Sequence, residues 1–85
     1  MFIGMEAELK RHLLSLVEAY AEALGIGVTT VWRQAINDPA FHERLRSENT
    51  ITLRTYDKAV AWFDENWPAA SSWPNDIPRP VERAA

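Results

Sequence analysis

Arginines carry the clearest chemical signal in this chain. In the stretch Asp38-Pro39-Ala40-Phe41-His42-Glu43-Arg44-Leu45-Arg46-Ser47, two apolar residues one helical turn apart, Phe41 and Leu45, are interleaved with polar ones. A guanidinium is a planar fork that can bind guanine O6 and N7 together, and a glutamate can accept from cytosine N4. Catalytic constellations do not form. His12 and His42 are the only histidines and fall in different predicted helices. A lone helical histidine reads as a solvated or packing residue rather than a base or ligand. There is no HExxH pair of the helical zinc-hydrolase kind. Gly4, Gly25 and Gly27 do not make a phosphate-cradling loop. Asp64 and Glu65 are adjacent and so point about 100° apart on a helix, as a solvated charged face. No enzyme, no cofactor and no metal is expected.

The elements that must position these arginines follow from periodicity. Leu9, Leu13, Leu16, Tyr20 and Leu24, widened by Val17, form one face of a helix from about Glu6 to Leu24, after a short apolar lead-in over residues 1–5. Gly25 and Gly27 stop it, because glycine accepts the left-handed geometry of a helix end. A short helix over Val28–Ile36 places Val31 and Ala35 on one face. Asp38 is expected to cap a third helix, Pro39–Ser47, with Pro39 at its first position, where a missing amide costs nothing. Asn49-Thr50-Ile51 breaks the chain again. Thr52 can cap a fourth helix to Trp67, where Leu53, Tyr56, Val60, Phe63 and Trp67 step by three, four, three and four. The expected fold is therefore all-α, a compact four-helix domain over residues 1–67. Residues 68–85 hold four of the five prolines and read as an extended or disordered tail, part of which Trp73 and Ile77 could pin to the body.

Composition bounds the rest. The chain has 85 residues, 47% hydrophobic and 25% charged, with net charge -3 and no cysteine. That is one small globular domain without disulfides or a thiolate metal site. No apolar run approaches the roughly 20 residues that cross a bilayer, and no secretory pattern opens the chain, so no membrane partner and a cytoplasmic location are expected. The acidic total argues mildly against nucleic acid. Charge is unevenly spread, however. Residues 29–58 hold five basic side chains (Arg33, Arg44, Arg46, Arg54, Lys58) against four acidic ones (Asp38, Glu43, Glu48, Asp57), and are the only positive third.

Residues 28–47 have the form of a helix-turn-helix, two short helices on a shared core with the second offering a polar face to the major groove. Val31 and Ala35 would pack on Phe41 and Leu45. The outward side would present Ala40, Glu43, Arg44 and Ser47, with His42 and Arg46 at its margins. Thr29 and Thr30 open the first short helix, whose amide-rich end can hold a phosphate, with Arg33 nearby. Arg54 and Lys58, one turn apart, could reach the backbone. A second register moves the motif upstream, with Ala21, Gly25, Ile26 and Val31 at the motif spacings. Thr29, Thr30, Trp32 and Arg33 would then read bases. The downstream register is preferred because it leaves a complete opening helix in front and explains Asp38-Pro39 as a helix start.

At these residues the sequence resembles the small helix-turn-helix proteins of the lambda-repressor and Cro type, found in bacteria and their prophages. The likeness covers about residues 9–67: LLSLVEAYAEALG as opening helix, GVTTVWRQAIND as scaffold, DPAFHERLRSEN as recognition helix and ITLRTYDKAVAWF as closing helix. It implies a sequence-specific regulator, of repressor type, that binds double-stranded DNA with the helix starting at Pro39. Two departures stand out. The segment after the recognition helix reads Ser47-Glu48-Asn49 where the family usually has a glycine and a basic residue. Trp32 stands where the scaffold helix usually has a small residue.

So few cations give weak monomer binding, and a dimer on a two-fold site doubles the contacts. A homodimer is expected, with Ala59, Trp62 and Asn66 of the last helix and Trp73 of the tail at the contact. The competing expectation for Trp62 is that the tail folds back over it. The competing function is a small helical protein-interaction module, antitoxin-like or a phage adaptor, without DNA binding.

Overall fold

A glycine and an asparagine set the two sharpest corners. Gly25 has φ +70, and the amides behind the first helix turn back to it, Gly25 N to Glu22 O at 3.3 Å and Ile26 N to Ala21 O at 3.0 Å. This is a helix end that needs left-handed backbone. Asn37, at φ 57, ends the second helix in the same way, with its own amide on Arg33 O and that of Asp38 on Trp32 O. Asparagine is among the few side chains that tolerate that region. The computed structural model describes residues 3–47, 51–69, 71–77 and 79.

Four helices follow in order: α1 Ile3–Leu24, α2 Val28–Ile36, α3 Phe41–Arg46 and α4 Leu53–Asn66, with no strand among the described residues. This is the all-α four-helix architecture that the periodicity implies. Helix α1 begins three residues before Glu6, so part of the apolar lead-in is helical. Thr52 caps α4 as expected, its Oγ1 accepting from Thr55 N at 3.1 Å.

Helix α3 is the clearest correction. It starts at Phe41, not Pro39, and spans six residues. Pro39 and Ala40 form a turn, closed by Phe41 N on Asp38 O at 3.1 Å. Asp38 Oδ1 accepts from Ala40 N at 3.1 Å, so the carboxylate supports the turn two residues on rather than capping the helix directly.

The core is one cluster. Leu13, Leu16, Val17, Tyr20 and Ala21 of α1 meet Val31, Trp32 and Ala35 of α2, Phe41 and Leu45 of α3, and Tyr56, Ala59, Val60 and Phe63 of α4. Val31 and Ala35 thus share the core with Phe41 and Leu45, as expected. Two stripe residues stay outside: Leu24 is 47% exposed and Leu53 is 62% exposed. Each is the end residue of its helix, where the packed face runs out. Helix α1 is tied to every other helix, whereas α3 packs on α1 and α2 but not on α4. It is the least embedded element.

The described part of the tail is not a free extension. Ile77 is buried in the core, and Trp73 stacks edge-on to Trp67 at 5.0 Å while its Nε1 donates to Ile77 O at 2.9 Å. Arg11 of α1 pairs with Asp76 at 2.8 Å, and Arg79 pairs with Asp64 at 2.6 Å. The expected boundary after residue 67 is therefore crossed by packing. The proline density removes helix from residues 71–77, as expected, but two apolar anchors fold them onto α1 and α4. The expectations for Glu48, Asn49, Thr50 and the last residues, 80–85, lie outside the described residues. Among the described residues no single helix is long and apolar enough to cross a membrane; α1 and α2 are bent by 112° relative to each other.

Candidate nucleic-acid interface

Phe41 and Leu45 point α3 inward and are 1% and 3% exposed. With about 100° per residue, Glu43 then lies opposite the core, flanked by Arg46 and Ser47. All three are exposed, as is Ala40 in the turn before them. The outward side of α3 is thus polar and small, with a carboxylate at its centre and a guanidinium beside it. Ser47 is already engaged. Its Oγ donates to Arg44 O at 2.9 Å, closing the end of α3, and its carbonyl accepts from Lys10 Nζ of α1 at 3.0 Å. Lys10 is the one cation at this site that the sequence did not single out, because nothing in its spacing links it to a residue 37 positions away.

Arg44 is not a free fork. Its Nη1 makes an ion pair with Asp38 Oδ2, and its guanidinium carbon stands 5.5 Å from the Phe41 ring. The side chain is half exposed, but its charge is spent on the turn that launches α3. Arg44 is exposed, as expected, but its guanidinium is held at Asp38 rather than standing free. Its partner among the described residues is Asp38. A pairing across a turn at six residues' spacing has no helical signature, so the sequence concealed it.

His42 is half-buried rather than standing at an open margin. Trp32 Nε1 donates to its Nδ1 at 3.4 Å. Trp32 itself is fully buried, edge-on to Phe41 at 4.8 Å and to Phe63 at 5.7 Å. That burial removes Trp32 from the base readers of the upstream register, whose Thr29 and Arg33 are exposed.

The remaining cations sort by partner. Arg11, Arg44 and Arg79 are paired with carboxylates. Arg33, Arg46, Arg54 and Lys58 are exposed and make no ion pair among the described residues. Thr29 is exposed and Thr30 half-buried at the start of α2, where no side chain caps the helix at Gly27.

The expected dimer residues separate. Ala59 is fully buried, so it has no surface to offer a second copy. A small residue on the shoulder of the α4 stripe widens the core instead. Trp62 is half-buried, its ring 5.2 Å from Tyr20 and 5.3 Å from Phe63. Trp73 is half-buried against Trp67. Asn66 is exposed and donates to Trp62 O at 2.8 Å.

Two clusters are structural. His12 is buried, its Nδ1 2.9 Å from the Tyr56 hydroxyl. Its Nε2 has no hydrogen bond although Glu8 Oε2 is 3.3 Å away, because that oxygen is aimed at Arg11, at 2.5 Å. Arg11 in turn holds the Glu8 and Asp76 carboxyls below their usual range, mainly through its hydrogen bonds to them. Asp64 is not simply a solvated charge, since it anchors Arg79. Comparisons with protein-family models, with curated proteins and with solved structures return no match.

Proposed function

We propose that the protein is a sequence-specific DNA-binding regulator, acting as a repressor in the cytoplasm, that lays α3 in the major groove. The observation that carries this reading is the seating of α3. Two of its six residues anchor it, it packs on α1 and α2 alone, and the opposite side presents Glu43 and an unpaired Arg46. Arg46 takes the base- or phosphate-contacting role first expected of Arg44. Arg33, Arg54 and Lys58 serve phosphates, and Thr29 and Thr30 offer the uncapped end of α2. The protein works as a homodimer, because the four exposed cations of residues 29–58 that make no ion pair among the described residues give little affinity alone. Of the contact residues expected on α4, Trp62 and Asn66 keep surface to offer.

A second reading has its own support. Arg44 is neutralised by Asp38, the chain is acidic overall, and Leu24 and Leu53 are exposed. Those features suit a protein-interaction module. Selection from a random duplex library separates the two. The regulator enriches a duplex, and its affinity falls with salt at a slope of roughly -3 to -4 per chain if all four cations meet phosphates. Arg46→Ala weakens binding with the fold intact. A library that stays unenriched at low salt supports the module.

A further inference from the structure

Trp32 occupies a position whose packing alone does not explain its polar atom. An indole N–H only donates, and here it donates to His42 Nδ1. In neutral His42 the Nδ1 is therefore the bare nitrogen, and the ring proton sits on Nε2. The donor cannot drift, because Trp32 is fully buried between the Phe41 and Phe63 rings. Among the described residues His42 Nε2 has no hydrogen-bond partner, yet it is not sealed off; the buried side-chain nitrogen left without a partner there is that of His12. His42 lies on the first turn of α3, one residue from Glu43.

We infer that Trp32 is a positioning residue that fixes His42 as an Nε2–H donor, and that His42 with this tautomer recognises guanine in the major groove. The assignment rests on the DNA-binding reading above. A single fixed donor needs an acceptor, and guanine N7 and O6 together form the broadest acceptor edge in that groove. Cytosine, which presents an amino donor there, is rejected. Had Nδ1 carried the proton, the exposed nitrogen would accept and the preference would reverse.

Two measurements test this separately. The first needs no DNA: two-bond proton–nitrogen correlation of the free protein at about pH 8, above the ordinary imidazole range. His42 is expected as the Nε2–H tautomer, and Trp32→Phe, which keeps an aromatic but smaller side chain and removes the donor, is expected to mix the two tautomers. An Nδ1–H tautomer in the wild type overturns the proposal, whether or not the Phe variant folds. The second takes a duplex selected by the wild type and replaces its guanines singly by 7-deazaguanine, which lacks the N7 acceptor. One position is expected to lose affinity about three- to tenfold for the wild type and not for His42→Ala. If no position does so on a duplex that binds, guanine recognition by His42 is wrong while DNA binding stands. If no duplex is selected at all, DNA binding falls and the guanine assignment falls with it, while the tautomer result is unaffected.

Discussion

Asp38 uses its two carboxylate oxygens for two different tasks, one on the Ala40 amide and one on the Arg44 guanidinium. Asp38→Ala should lower stability by about 1 kcal/mol, the scale of a lost local cap. It should also raise low-salt duplex affinity by releasing Arg44. Urea unfolding and fluorescence anisotropy check the two halves, and affinity that stays flat would show that Arg44 does not compete for phosphate. A different residue-scale effect governs alkaline stability. Burial raises the phenol pKa values of Tyr20 and Tyr56 above the ordinary 10.0, with the Asp57 and Glu8 charges adding at Tyr56. The folded chain then holds these protons more tightly than the unfolded one, so stability is complete below about pH 10 and declines as pH rises through the folded values. The urea midpoint should fall from about pH 9 to about pH 11, with the phenolate band appearing as the chain unfolds. Phenols titrating at their ordinary value in a still-folded chain would contradict this. The sequence showed which residues carry charge but not which charges are spent. Arg44 and Asp38 meet through a turn, and His42 and Trp32 meet across two helices, neither at a spacing that periodicity reveals.

At the scale of elements, four helices were legible because each repeats its apolar residues at three and four. Gly25 and Thr52 also mark helix ends in the sequence. What misled was local. Asp38-Pro39 reads as a cap and first turn, but Asn37 in left-handed backbone and the Asp38–Phe41 turn use up two further residues before α3 begins. The tail was legible too: proline density excludes helix from its described residues, and Trp73 and Ile77, the anchors that the sequence offered, pack on Trp67 and in the core. Deleting residues 68–85 should therefore cost about 2–3 kcal/mol, chiefly from burial of Ile77 and the cover over Trp67. Urea unfolding followed by tryptophan fluorescence reads it. An unchanged midpoint would mean that the tail's contacts add nothing to stability.

At the scale of the whole molecule, an acidic chain has to concentrate its usable cations if it is to hold DNA. Three of its arginines are consumed by internal pairs, which tie the tail to the body and brace α3. Among the described cations without a carboxylate partner, Lys10 is held at Ser47 O, while Arg33, Arg46, Arg54 and Lys58 stand exposed within the one stretch of net positive charge. The charge arithmetic of the sequence found that stretch, but side-chain pairing decided which members could act. Sedimentation at high micromolar concentration should show a homodimer, and a strictly monomeric chain would remove the two-fold site from the account. The most direct test of the central claim is nitrogen–proton shift mapping as a selected duplex is titrated into labelled protein. The largest changes are expected at His42, Glu43 and Arg46, with smaller ones at Thr29, Arg54 and Lys58. Changes that instead centre on Leu24 and Trp62, leaving α3 untouched, would contradict it.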